Sequence, residues 1–554
     1  MCIQSQSLAD AVAPEDASFN KAYAKLIMPR VTGKLLNMSA DELKNLTIAY
    51  SLVTPFSDIQ VKKTVFAQPN GSFSLEIDYP FPYQQIWFGV GDFFYAGLYV
   101  NKDLYLELDM QKIKASKRVN YNGDGVRYLG SDGPLNVYLN NYVLYKRRER
   151  LELSKNISKL IFSRTATDDI LPTYNKLFDT LKIIEDNYIA ANPSPYSWIL
   201  ENERMSEYYN NISTYYTGKT MPDTIWQKVQ QHKSYLMSNN GTLFYNYLTM
   251  YITFSPGNFS TSWKDLAQLP VLKPAEKLLI DSLRASEKKQ PEYPYTTENI
   301  QKWTKQLQPQ LVELAQIRLL DRSIKKIDSM FSAARADFLK LRLNRSKDVS
   351  EQKLEMERIM SSMHTAWCID VLQKEYKYTT DKIDEINKIL ASSAGGTQHT
   401  SFGKPMIETS FGASLYNASD IKVVDFLAKL KQSFPNKAII IDRWATWCAP
   451  CLSEMPHCKK LQEASNDLPA IFVYLCTISG SSENKWKSKV IELKQPGIHF
   501  LIDETLDAEL SKYFSFSGYP GHAFIDKAGN YRPGAIRSMF NIKDREELAA
   551  LINK

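Results

Sequence analysis

Two cysteines separated by two residues, Cys448 and Cys451, follow an apolar run, Ile439-Ile440-Ile441, and a turn bounded by two indoles, Trp444-Ala445-Thr446-Trp447. A strand that runs through a turn into a helix places the first cysteine at the helix start. Unpaired N–H groups and the positive end of the dipole there favour thiolate over thiol. The thiolate is the nucleophile of thiol–disulfide exchange, and the spacer Ala449-Pro450 brings Cys451 round one turn later, within reach of a disulfide. Pro450 falls in the first turn, where its missing N–H leaves no bond unmade. These residues predict a redox-active Cys448–Cys451 pair in which the first thiol is accessible and the second shielded.

The competing chemistry for such a pair is half a zinc site completed by His457 and Cys458. On a continuous helix Cys458 lies two turns, roughly 10 Å, beyond Cys451, too far for one tetrahedral ion. No second C-x-x-C exists in the chain, so no metal and no other cofactor is expected. The remaining cysteines, at positions 2, 368, 458 and 476, are too sparse for a disulfide-stapled scaffold. Cys368 and Cys476 lie in apolar surroundings and, with Cys458, read as core residues. His457 reads as a polar helix residue rather than a base. Asn120-x-Asn122-x-Asp124-Gly125 imitates the start of a calcium loop, but its twelfth position holds Ser131 where a bidentate Glu belongs. It is read as a turn, as is Gly130-Ser131-Asp132-Gly133.

The elements that must position the cysteines alternate strand and helix. Ala438 to Ile441, Ile471 to Leu475, Phe500 to Ile502 and Ala523 to Ile525 are apolar strand segments. Asp526-Lys527-Ala528-Gly529 turns the last one back, and a helix covers about 543–553. Residues 404–554 are therefore expected to form an α/β domain, preceded by a small-residue linker at 391–403.

Upstream the periodicity changes. Residues 30–135 alternate with period two: Phe73, Leu75, Ile77 and Tyr79 oppose Ser74, Glu76 and Asp78, and Leu104, Leu106 and Leu108 repeat the pattern. Pro69-Asn70-Gly71 between Thr64-Val65-Phe66 and this run is a hairpin signal. An antiparallel β-sandwich-like domain is expected. Residues 136–390 are helical, with stripes at Leu177, Leu181 and Ile184 and from Leu311, Leu314, Ile317 and Leu320 to Ile324, Ile327 and Phe331. Asn192-Pro193-Ser194-Pro195 breaks two helices. The fold class is thus multidomain: β-sandwich-like, then α-helical, then α/β.

With 68 basic and 61 acidic residues the net charge of +7 is spread over 554 residues without a block of like charge, which gives nucleic-acid binding little support. The 32 Tyr, 25 Phe and 9 Trp are not clustered and read as packing rather than a recognition face. No apolar run reaches the 18 residues of a membrane span. Residues 1–29 read as a disordered tail or signal-peptide remnant. Ala9-Asp10-Ala11 has the small-x-small form of a cleavage site, but the apolar region that should precede it is missing, as it is for a lipid-bearing Cys2.

Trp444-Ala445-Thr446-Trp447-Cys448-Ala449-Pro450-Cys451 resembles the active-site segment of the thioredoxin superfamily, most closely its TlpA/ResA-like disulfide reductases. The resemblance covers about 400–554. Glu454-Met455-Pro456 is similar to the family's E-x-P, with Pro456 kinking the active-site helix, and Gly518-Tyr519-Pro520-Gly521 before Phe524-Ile525-Asp526 is similar to its G-x-P segment. The resemblance implies that Pro520 is a cis-proline facing the cysteines and that Tyr519 offers backbone groups to a substrate strand. It also places Asp442 where thioredoxin keeps a buried carboxylate, a departure from the Asn of many TlpA-like proteins. There Asp442 would take the proton of Cys451; the alternative is a strand-end carboxylate hydrogen-bonded to backbone.

Some relatives keep a further acid where Ser479-Gly480-Ser481 stands, so Asp442 would act without that help. Arg443 replaces a usual aromatic residue and either faces solvent or snorkels over the sheet edge. Trp444 and Trp447 are expected to wall the site and to give substrates an apolar platform. The implied activity is a thiol-disulfide oxidoreductase that reduces protein disulfides outside the cytoplasm, in the periplasm or cell envelope, and is recharged by a separate thiol electron donor. Short echoes of a group of extracytoplasmic TlpA-like proteins, such as Val31-Thr32-Gly33-Lys34, occur upstream. The alternative is a binding protein whose N-terminal domains recognise a partner or glycan, the thioredoxin domain being accessory.

Overall fold

The computed structural model describes residues 12–44, 46–52, 54–56, 61–91, 93–116, 123–162, 170–255, 316–346, 348–392 and 400–553, together with 274, 277, 278, 280 and 281. Ala9-Asp10-Ala11, Asn120 and Asn122, Leu311 and Leu314, and most of the small-residue linker lie outside them. The chain divides into two compact units, residues 1–345 with 355–374, and residues 346–354 with 375–554.

In the first unit eight strands are described: β1 (Arg30–Leu36), β2 (Thr47–Leu52), β3 (Val61–Phe66), β4 (Ser72–Glu76), β5 (Gln84–Val90), β6 (Phe94–Val100), β7 (Asp103–Asp109) and β8 (Val126–Leu129). They form two four-stranded sheets, ordered β4-β1-β7-β8 and β3-β2-β5-β6. Alternation decides what each buries: Leu104, Leu106 and Leu108 point inward from β7 while their neighbours do not. The sheets meet through the Phe73 and Phe88 rings, 5.7 Å apart, and through the Tyr50 hydroxyl, which donates to the Glu76 carbonyl at 3.0 Å.

Two features depart from the sequence reading. Pro69-Asn70-Gly71 does turn the chain, with Gly71 at φ +81°, but β3 pairs with β2 and β4 with β1, so the turn carries the chain from one sheet to the other and closes no hairpin. A turn signal specifies a reversal of direction; the side-chain pattern of distant strands specifies the partner. Strand β1 also pairs in parallel with β7 although β4 flanks it antiparallel.

Helices follow, including Gly133–Leu144, Leu171–Ala191, Ser197–Tyr216 and Asn239–Phe254. The break at Asn192–Pro195 separates two of them. The buried stripe of Leu171–Ala191 is Tyr174, Phe178, Leu181, Ile184 and Tyr188, with Leu177 at its margin. Some of the tyrosines pack on one another here: Tyr138, Tyr142 and Tyr145 each place a ring within 5.1–5.4 Å of that of Tyr188.

The second unit holds strands β9 (Ile407–Glu408), β10 (Ala413–Asn417), β11 (Ala438–Trp444), β12 (Ala470–Thr477), β13 (Gly497–Ile502) and β14 (Gly521–Ile525). Its helices include α1 (Val423–Ser433), α2 (Ala449–Ala464), α3 (Glu483–Leu493), α4 (Glu504–Phe514) and α5 (Arg545–Asn553). The sheet order is β14-β11-β12-β13-β10-β9, parallel at β11-β12-β13-β10 and antiparallel at both edges. Every residue of β11 is buried, because both faces of the sheet are covered. Ala438, Ile440 and Trp444 pack with Met455 and Leu461 of α2, Trp486 and Val490 of α3 and Leu548 of α5. Ile439 and Ile441 pack the opposite way, against Phe426 and Leu430 of α1 and Leu506 and Leu510 of α4. The period of two thus hands Asp442 to the α2 face and Arg443 to the α4 face. Val349 and Ile386 join Ile491 in a smaller apolar cluster of the same unit.

Candidate active site

Cys448 occupies the N-cap of α2 in extended conformation, and its Sγ accepts the Cys451 N–H at 3.2 Å. The two cysteines form a disulfide with their Cα atoms 5.3 Å apart. Pro450 lies in the first turn, and α2 continues through Pro456. In this oxidised state Cys448 is 3% exposed and Cys451 0%. The expected asymmetry is therefore slight until the bond opens, since a disulfide ties the outer sulfur to the inner one.

The rim is built by Trp447 and the loop before β14. Trp447 is 52% exposed, and its indole N–H donates to the Ser479 carbonyl at 2.9 Å. Its ring stands edge-on to Tyr519 at 5.3 Å, and the Tyr519–Pro520 peptide bond is cis. Trp444, by contrast, is wholly buried in the core beneath the disulfide and offers substrate no surface. Ser479-Gly480-Ser481 supplies no acid but carries the rim: Ser481 Oγ lies 2.9 Å from Thr446 Oγ1, and Gly480 sits at φ +68°. A Cβ there would come within 2.7 Å of the Trp447 indole nitrogen, so glycine alone lets the indole close down on this loop.

Arg443 neither faces solvent nor snorkels. Its guanidinium makes two bonds of 2.7 Å to the Asp507 carboxylate, donates to the Gly518 carbonyl at 3.1 Å and to the Tyr519 hydroxyl at 2.8 Å, and lies 3.8 Å from the Tyr519 ring. The Tyr519 hydroxyl in turn donates to Asp507 at 2.8 Å. Burial and the Asp507 carboxylate push this phenol up to about 12, so it remains a donor. The planar five-donor fork of arginine is what allows one side chain to hold a carboxylate and a loop together. Asp507 was not singled out by sequence; an acid one helical turn into α4 carries no signal until β11 is laid beside it.

On the α2 face Asp442 is 2% exposed and neither carboxyl oxygen has a hydrogen-bond partner, so backbone does not satisfy it. Burial, and then the nearby Glu454 carboxylate, push it up to about 8. Glu454 is buried as well and accepts from Ser538 Oγ. Sequence reasoning missed His522, which pairs across β14 with Asp442. Its Nε2 lies 3.7 Å from Asp442 Oδ1 and 2.9 Å from Glu454 Oε2. Its strand alternation was a usable signal: His522 and Phe524 share a face, and two residues along β11 Asp442 shares that face with Ile440.

The other sequence candidates are structural in position. His457 Nε2 lies 3.0 Å and 2.8 Å from the Met539 and Ile542 carbonyls, at the turn that closes against α2. Cys368, Cys458 and Cys476 are buried free thiols, each pushed up mainly by burial. Among the described residues no group of three or more acidic, histidine or cysteine side chains is arranged to hold a metal ion, and no helix is long and apolar enough to cross a membrane.

Comparison with known proteins finds sequence matches over the C-terminal part. Residues 418–539 match the Redoxin family. The thioredoxin-like protein YneN of Bacillus subtilis is 29% identical over 100 residues, 18% of this chain and 55% of that protein. The chain thus spans about half the length of this curated relative. Among solved structures, the thioredoxin domain of a Bacteroides vulgatus thiol-disulfide oxidoreductase is 20% identical, with a TM-score of 0.19, over 22% of this chain and 79% of that one. The exposed lipoprotein thioredoxin Etrx1 of Streptococcus pneumoniae is 22% identical, with a TM-score of 0.19, over 24% and 96%. Residues 418–539, carrying the cysteine pair at the start of α2, belong to a C-terminal domain of the thioredoxin superfamily.

Proposed function

We propose that the chain is a thiol-disulfide oxidoreductase that reduces disulfides of extracytoplasmic proteins, as its likeness to the TlpA/ResA-like reductases implies. The observation that carries this is the Cys448–Cys451 pair at the N-terminus of α2, between the exposed Trp447 and the cis Tyr519–Pro520 loop. In the reduced protein the Cys448 thiolate attacks one sulfur of the substrate disulfide. The other substrate sulfur leaves with the electron pair and takes a proton from solvent. The substrate strand is held on Trp447 and on the backbone at Tyr519 and Pro520. Cys451 then gives its proton to Asp442 and attacks Cys448. The mixed disulfide breaks, the second substrate thiol is released, and two electrons have passed to the substrate. Trp444, Pro450, Glu454 and Pro456 hold the frame. A separate dithiol donor restores the pair.

The test is insulin reduction by the full chain with a dithiol donor, together with trapping by Cys451→Ser. The variant should retain its substrate as a mixed disulfide on Cys448, and trapping in envelope extracts should identify extracytoplasmic proteins. A wild-type chain that does not reduce insulin, or a variant that captures nothing, would refute the proposal.

A further inference from the structure

A proton delivered to Asp442 must leave again, yet Asp442 is sealed from solvent and bonded to nothing. Three buried titratable side chains converge here: Asp442, whose two carboxyl oxygens have no hydrogen-bond partner, and Glu454 and His522, which meet at 2.9 Å. A buried carboxyl without a partner is rare and calls for a cause. Their order in space is informative. His522, with 2% of its side chain exposed, presents the same nitrogen to both acids, at 3.7 Å and 2.9 Å. Glu454 is bonded on its far oxygen by Ser538, which is half-buried and reaches the surface beside α2.

We propose that Asp442, His522, Glu454 and Ser538 form a proton relay that returns the general base to its working form after each resolution step. This rests on the thiol–disulfide reading above. When Cys451 attacks Cys448, the S–H proton of Cys451 moves to an Asp442 oxygen, the Cys448–substrate bond breaks as the Cys448–Cys451 bond forms, and the electron pair leaves on the substrate sulfur. The proton on Asp442 then passes to His522 Nε2, the ring tips from Asp442 towards Glu454, and the proton leaves through Glu454 at the Ser538 edge. Electrons move only in the sulfur exchange; the relay moves one proton.

The surroundings suit the task. Burial pushes the His522 imidazole down while Glu454 and the Arg537 backbone oppose it. The further groups on this face are the buried thiol of Cys458 and the phenol of Tyr474, both pushed up by burial and by Asp442 or neighbouring thiol charge, so neither competes as a base. Arg443 lies on the opposite face and does not enter.

The test uses the full chain in single turnover with a peptide disulfide carrying a different dye on each half. Release of the first dye reports attack by Cys448, and release of the second reports resolution by Cys451. His522→Gln should leave the first release at the wild-type rate. It should slow the second about tenfold, the low end of what a proton-transfer group contributes, and give it a larger solvent deuterium isotope effect than wild type. Glu454→Gln, altered on the other side of the ring, should do the same and carries the test if His522→Gln does not fold. Resolution at the wild-type rate, or slowed without a change in isotope effect, would overturn the relay. A wild-type chain that never releases the first dye would overturn the thiol–disulfide reading itself.

Discussion

Replacing Asp442 with Asn gives a stability effect whose size and sign follow from burial. The carboxyl is pushed up from the ordinary 3.8 to about 8, first by burial and then by Glu454. A group that holds its proton more tightly when folded opposes folding once the unfolded chain ionises. Wild-type stability from this residue is therefore undiminished below about pH 4, falls as pH rises to about 8, and is level above that. Between those limits each step of one in pH costs about 1.4 kcal/mol, and pH 7 lies about three such steps above the ordinary value. The wild-type penalty at pH 7 is then on the order of 4 kcal/mol. Asn cannot ionise and escapes it. A buried amide has its own unpaired groups, costing about 1–3 kcal/mol, but that cost does not change with pH. The decisive quantity is therefore the gap between variant and wild type, which should widen by about 4 kcal/mol in favour of Asn between pH 4 and pH 7. Hydrogen exchange of the β11 and β12 amides in the intact chain, corrected for intrinsic exchange at each pH, measures it where the residue sits. A gap that stays constant over that range would show that Asp442 ionises freely in the folded protein, and the assignment of a sealed base would fall with it.

Two further outcomes follow. In the reduced protein at mildly acidic pH, iodoacetamide should modify Cys448 before Cys451, because the helix N-terminus stabilises the outer thiolate; mass mapping that finds Cys451 labelled first would reverse their roles. Arg443→Met should leave Asp507 buried without its partner and cost about 3–5 kcal/mol. With Tyr519 unpinned, KM for a protein disulfide should rise by more than kcat falls, and an unchanged KM would show that the Arg443 clamp serves stability alone.

Much of the site was legible along the chain because it is local. The spacing of Cys448, Pro450 and Cys451 marks a helix start, and the short, wholly β-branched Ile439–Ile441 run reads as a strand buried on both faces; both lie within one stretch of backbone. Alternation likewise determined which residues of β4 and β7 face inward. Tertiary structure decided what depends on partners distant in sequence. Pro69-Asn70-Gly71 encodes a turn, but whether the strands beside it pair with each other is set by β1 and β2, which take them as partners in two separate sheets. Arg443 could not be placed from sequence because its environment is made by Asp507 and Tyr519, 64 and 76 residues away. His522 meets Asp442 only because β14 returns antiparallel beside β11 in that register. A residue's type and spacing say what chemistry it can do; its charge state depends on burial and neighbours, and those exist only once the sheet has closed over them.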